Sequence, residues 1–187
     1  MRIYRCLCLI LILCLALPLA ACGGTTITDE EALAILRERV EASYELNEIY
    51  FGDGLRTDPY DDNGGVTQYV FVAIDEKYQF ISDLKAATEE VFSSAVCARL
   101  YEKAFTGVDD GLVILYARYI EQGGVLTADV KYKGIETAED FLFETARVVK
   151  NTKNYVVFSV ERAESGETRI ELILSPDGRW LLNTYTY

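Results

Sequence analysis

Hydrophobic and polar positions change their spacing along this chain, and each change marks a different kind of element. Cys6 to Leu19 is apolar with only Pro18 interrupting it. From Leu33 the apolar residues recur at helical spacing, through Leu36, Val40 and Tyr44, flanked by Ile35, Ala42, Leu46 and Ile49. That pattern predicts one helix with a broad buried stripe. Thr28-Asp29-Glu30-Glu31 ahead of it forms a capping box, with Thr28 as N-cap and Glu31 at N3. Gly52 suits the position just past the end. Asp53 to Gly65 is a polar loop, and Val66 to Ile74 is rich in the β-branched and aromatic residues of a strand. Ser82 then opens a helix with Leu84, Thr88 and Val91 inward. Ser93-Ser94 opens a second, with Val96, Leu100 and Ala104 on one side and Gly107 at its end.

Beyond Gly107 strand patterns take over. Leu112 to Ile120 and Val125 to Tyr132 flank Gln122-Gly123-Gly124, which is a hairpin signal. Tyr155 to Glu161, Thr168 to Leu174 and Arg179 to Tyr185 read as three further strands, the last two joined by the tight-turn sequence Ser175-Pro176-Asp177-Gly178. Ala138 to Lys150 fits two templates. Its apolar residues suit a helix capped by Thr137, or a strand pairing with Tyr155 to Glu161 across Asn151-Thr152-Lys153-Asn154. The strand is the favoured of the two. These elements predict an α+β fold, in which an N-terminal helix and a helical pair pack on a curved antiparallel sheet.

The leading apolar run changes the picture of where the chain works. Arg2 and Arg5 precede it, no acid does, and it falls short of the roughly 20 residues that a membrane-spanning helix needs. This is the layout of a secretory signal. Ordinary signal cleavage requires small residues at −3 and −1, and Leu19 or Pro18 would occupy −3. Leu19-Ala20-Ala21-Cys22 instead resembles a bacterial lipobox, which implies diacylglyceryl transfer to the Cys22 thiol and cleavage just before it. The expected organisation is therefore a signal peptide over 1–21, a lipid-anchored tether over 22–27 and a single domain over 28–187. Two acyl chains give stable attachment where one does not, so the expected location is the outer face of the cytoplasmic membrane.

Charge and residue types then exclude functions. Lys and Arg number 18 against 30 Asp and Glu, for a net charge of −12, and every acid lies beyond Thr28. Such a chain repels nucleic acid and anionic lipid. No His occurs anywhere, which removes Cys–His nucleophiles and the usual His-containing zinc sites. Cys97 is the only cysteine of the expected domain, so no disulfide forms within it, and a lone Cys in an apolar helical pattern behaves as a small core residue. The loop acids Asp53, Asp58, Asp61 and Asp62 suggest calcium, but taking Gly64 as the EF-hand glycine puts Pro59 at the first ligand position and Val70 at the last. No metal and no cofactor is expected.

Helices on one face of a curved sheet resemble the NTF2-like and cystatin-like folds, and Ser175-Pro176-Asp177-Gly178-Arg179-Trp180 is similar to the closing hairpin of such domains. The stretch Tyr78-Gln79-Phe80-Ile81-Ser82-Asp83-Leu84-Lys85, followed by Val91-Phe92-Ser93, resembles small Gram-positive lipoproteins, some of them near the inhibitors of cell-wall DL-endopeptidases. The anchor, the acidic charge and the missing His and disulfides point to a non-enzymatic binding module for a cell-envelope partner, and the resemblance implies inhibition of a cell-wall hydrolase as one such role. Candidate contact residues are Asp58, Asp61 and Asp62 on the loop, with Tyr116, Tyr119 and Tyr132 as amphipathic surface on the strands. The alternative is a small-molecule-binding protein or an enzyme of the cone-shaped fold, with a Tyr donor and an acidic base.

Overall fold

The structure is a computed structural model that describes residues 26–61, 65, 67–109, 114–135 and 139–187. Helix α1 spans Asp29–Tyr50 and starts as its sequence predicts. Thr28 Oγ1 accepts from the Glu31 amide at 3.2 Å, and Glu31 Oε2 accepts from the Thr28 amide at 2.8 Å. Its inner face carries Ala32, Leu36 and Val40, all at 0% exposure, then Ser43, Leu46, Asn47 and Tyr50. Spacings of three and four keep these on one side. Asn151 Nδ2 donates to the Ile27 carbonyl and to Asp29 Oδ1, both at 2.9 Å, which ties the first turn to the strands described below.

Helix α2 spans Ile81–Val91 and α3 spans Ser94–Tyr101, continuing as a π-helical turn over Glu102–Thr106 that stops at Gly107, whose φ is 70°. The expected Ser93 cap is present, its Oγ accepting from the Val96 amide at 3.4 Å. The expected Ser82 cap is absent. The cap position falls two residues earlier, at Phe80, and the Ile81 amide donates to Glu121 Oε1 at 2.8 Å. A carboxylate distant in sequence here takes the place of a local cap.

The strands are β1 (Tyr69–Phe71), β2 (Val108–Asp109), β3 (Ile114–Leu115), β4 (Tyr119–Gln122), β5 (Val125–Asp129), β6 (Phe141–Thr152), β7 (Tyr155–Arg162), β8 (Gly166–Leu174) and β9 (Trp180–Leu182). All strand pairings are antiparallel. The fold is thus α+β, but its strands do not form one sheet. β6-β7-β8-β9 make a meander, β1-β5-β4 make a separate three-stranded sheet, and β2 pairs with β3 alone. Phe141–Thr152 is a strand rather than a helix, paired with β7 from Phe141↔Arg162 to Thr152↔Tyr155. Ala138 and its cap Thr137 lie outside the described residues. Two register shifts interrupt this pairing, and such bulges blunt a long edge strand against pairing with other chains.

The expected strand over Val66–Ile74 contracts to Tyr69–Phe71, and Leu112–Ile120 breaks into β3 and β4. The second break has a physical reason. Ala117, Arg118 and Tyr119 are consecutive and all buried, which strand alternation does not allow on a one-sided sheet. The predicted β4–β5 hairpin is present, with a two-residue turn in which Gly123 (φ 61°) and Gly124 (φ 80°) both take the left-handed conformation that I′ turns need.

The core lies between α1 and the meander, with Val156, Phe158, Val160, Leu172 and Leu182 all at 0% exposure, and α2 and α3 close it. The α2–α3 junction is held to β9, since the Ser93 amide donates to the Leu182 carbonyl at 2.8 Å and Ser93 Oγ to Asn183 Oδ1 at 2.8 Å. Among the described residues no helix is long and apolar enough to cross a membrane.

Buried phenols make this core sensitive to alkali. Burial raises the pKa of Tyr50, Tyr101 and Tyr119 above the usual value of about 10. A phenol whose folded pKa is raised contributes stability that is intact below its unfolded pKa and is lost as pH rises beyond it. Stability should therefore hold up to about pH 10 and fall above it. These phenolates should appear in the ultraviolet together with loss of the circular dichroism signal. Ionisation of all 13 tyrosines in one transition near pH 10, with the fold retained, would contradict this.

Candidate functional site

The site is built at the C-terminal end of α1. A helix leaves its last carbonyls unpaired and its end partly negative, and α1 has no basic residue in its last turn. Tertiary structure supplies what the local sequence lacks. Arg118 Nη2 donates to the Gly52 carbonyl at 2.6 Å, Tyr119 Oη donates to the Ile49 carbonyl at 2.8 Å, and the Ile135 amide donates to the Phe51 carbonyl at 2.8 Å. Tyr119 Oη also accepts from the Leu55 amide at 3.1 Å and from Arg118 Nε at 3.2 Å. The approach is close enough to demand glycine. A Cβ on Gly54, whose φ is 85°, would lie 2.5 Å from Arg118 Nη2, and one on Gly134 would lie 2.2 Å from the Gly52 oxygen.

A cavity of about 840 Å³ opens beside this junction. Tyr50 and Phe51 line it from α1, Lys103 and Ala104 from the π-helical turn, and Tyr132 and Ile135 from the segment after β5. The C-terminal Tyr187 completes the wall, stacked on Phe51 with ring centroids 4.1 Å apart and planes 14° from parallel. The volume suits a small molecule, for which sites of about 300–1,000 Å³ are usual.

Its charge runs against that of the chain. Lys103, Arg118, Lys131 and Lys133 line it, with Asp129 as the single acid among the described residues. Asp129 is engaged by structural bonds, Oδ1 accepting from the Lys131 amide at 2.9 Å and Oδ2 from Gln68 Nε2 at 3.3 Å. Arg118 is 4% exposed and its guanidinium lies over the Tyr132 ring, 4.1 Å from the centroid. Its Nη1 is buried without a hydrogen-bond partner among the described residues. Arg118, Asp129 and Tyr132 also line a smaller cavity of about 210 Å³ on their other side, which reaches Thr57 and Tyr60. This arrangement can bind and orient a ligand. Among the described residues its one side-chain carboxylate, Asp129, is held by those two bonds.

The residues expected from sequence separate into groups. Tyr116 and Tyr132 both line the large cavity, at 57% and 38% exposure. Tyr119, expected beside them as contact surface, is 0% exposed and spends its hydroxyl on α1. It supports the large cavity from behind and lines the smaller one. Asp58 and Asp61 are exposed on the loop and line neither cavity, while Asp62 and Cys22 lie outside the described residues. Lys103, Arg118, Phe51 and Tyr187 were not visible as site residues in the sequence. The cationic pair around an aromatic in Lys131-Tyr132-Lys133, set in an acidic chain, was the one available signal.

Cys97 belongs to a third cavity of about 500 Å³ between α3 and the β8–β9 turn. Burial raises its thiol pKa, and Sγ donates to the Phe92 carbonyl at 3.5 Å, as befits a packing residue. No protein-family model matches the chain, and no curated protein matches it either.

Proposed function

We propose that this chain is a lipid-anchored binding module on the outer face of the cytoplasmic membrane. It presents its large cavity to a component of the cell envelope and catalyses no reaction. The observation that carries the binding part is the cavity of about 840 Å³, walled by stacked aromatic rings and carrying four cations that form no ion pair with a carboxylate among the described residues. Concave, largely apolar sites with a few directed polar groups are the usual form of small-ligand sites. The location rests on the Arg2–Arg5 leader, the apolar run and Leu19-Ala20-Ala21-Cys22. Three helices set against an antiparallel meander, with a cavity at one end, support an NTF2-like or cystatin-like cone as the finer description of the fold. Inhibition of a cell-wall hydrolase is one role such a module would serve. Against the enzyme reading stand the bonds that occupy both oxygens of Asp129.

Intact-mass spectrometry of the protein extracted from membranes tests the anchor. The chain should begin at Cys22 and carry a diacylglyceryl group, and Cys22→Ser should retain residues 1–21. A bare Cys22 thiol on a cleaved chain would remove the proposed location.

A further inference from the structure

We infer that the large cavity selects ligands carrying an oxyanion, a carboxylate or a phosphate, on an apolar or aromatic body, with Arg118 as the anion-binding residue. This deepens the proposed function and rests on the cavity being a ligand site. The first ground is the inversion of charge. Acids outnumber bases 30 to 18 in the chain, yet among the described residues the cavity is lined by Lys103, Arg118, Lys131 and Lys133 against Asp129 alone. None of these four cations forms an ion pair with a carboxylate among the described residues. In an acidic protein, four cations grouped with one described acid around one concavity leave a net positive site for an anion brought from outside.

The second ground is Arg118 itself. A charged group at 4% exposure is costly unless it is paired. Gly52 and Tyr119 take up Nη2 and Nε, while Nη1 has no acceptor among the described residues. The planar guanidinium is the side chain suited to bidentate recognition of carboxylate and phosphate. What covers it is the Tyr132 ring, 4.1 Å away, on a residue 38% exposed in the segment after β5. Rotamer changes of such side chains are fast, so an incoming oxyanion displaces the ring and meets the guanidinium. The apolar body of the ligand then lies against Phe51, Tyr187 and Ile135.

Isothermal titration of the full chain in nonionic detergent, with micelle blanks subtracted, tests this using 1-naphthoate, 1-naphthyl phosphate and 1-naphthol. The three share a ring system and differ in charge. At least one of the two anions should bind about tenfold or more tightly than the neutral alcohol, as one charge-assisted contact provides. The tighter of the two identifies the headgroup chemistry. Arg118→Gln should abolish that preference. Because Arg118 also holds the end of α1, the variant Lys103→Gln/Lys133→Gln is read beside it, and should weaken the anion about three- to tenfold while leaving 1-naphthol unchanged. Equal binding of all three compounds would overturn the anion inference and leave the cavity as a ligand site. Binding of none would remove both. Anion affinity unchanged in the double lysine variant and in a folded Arg118→Gln would also overturn it.

Discussion

Phe158→Ala should lower the stability of the domain by about 3–5 kcal/mol, the usual cost of deleting a buried aromatic side chain. Phe158 sits at 0% exposure in β7, opposite Val148 on β6 and Ile170 on β8. Hydrogen-bonded strands flank it on both sides and α1 covers the sheet, so little can collapse into the space the ring leaves. Set against a typical total of about 5–15 kcal/mol, the loss removes much of the margin, and the urea midpoint should fall without a change of slope. Val149→Ala on the neighbouring strand is the control. Val149 is 53% exposed, and its substitution should fall within about 0.5 kcal/mol of the parent. A loss below about 1 kcal/mol for Phe158→Ala would place the core elsewhere.

The second large effect lies at the C-terminus. A chain ending at Tyr185 should lose about 3 kcal/mol and the binding capacity of the large cavity together. Thr186 is 1% exposed, and its Oγ1 lies 2.7 Å from Ser43 Oγ and accepts from Asn47 Nδ2 at 3.1 Å. Asn47 Nδ2 also donates to the Thr186 carbonyl at 3.3 Å. Removing Thr186 leaves two polar side chains of α1 facing an apolar interior with fewer partners, which costs more than the bonds themselves contribute. Tyr187 takes its ring from Phe51 and one wall from the cavity. Thr186→Val separates the two contributions, because it removes the hydroxyl and keeps Tyr187. It should lose stability while keeping most of the naphthyl-ligand affinity. A truncated chain as stable as the parent and binding as well would refute the role of both residues.

Ser43 and Asn47 also show what is readable from sequence in a helix. The stripe Leu36, Val40, Tyr44 predicts a buried face, and the face is real, but Ser43 and Asn47 sit within it at 0% and 3% exposure while Tyr44 is only partly buried. The periodicity located the face to within one residue's rotation. It could not announce that two polar residues would be accepted there, because their partner is Thr186, about 140 residues away in sequence. The same holds for the candidate site. Tyr116 and Tyr132 stand out as aromatic residues on strand-like segments, but Tyr119, of the same type and three residues from Tyr116, faces inward. Alternation along the expected strand would also set these two on opposite faces; what the break at Ala117 and Arg118 changes is Arg118, which alternation would place out with Tyr116 and which is buried.

What the sequence by itself determined are the features whose causes are local. The Thr28–Glu31 cap, the Ser93 cap and the Gly123-Gly124 turn each depend on residues within a few positions of one another. Only the tertiary structure decided that Phe141–Thr152 is a strand, that the strands divide into separate sheets, and that the end of α1 meets Arg118, Tyr119 and Tyr187. Those outcomes hang on contacts closed across long loops, in which a carbonyl at Gly52 finds a guanidinium at Arg118. No spacing along the chain encodes which distant group will satisfy a helix end, and the cavity exists because those particular groups do.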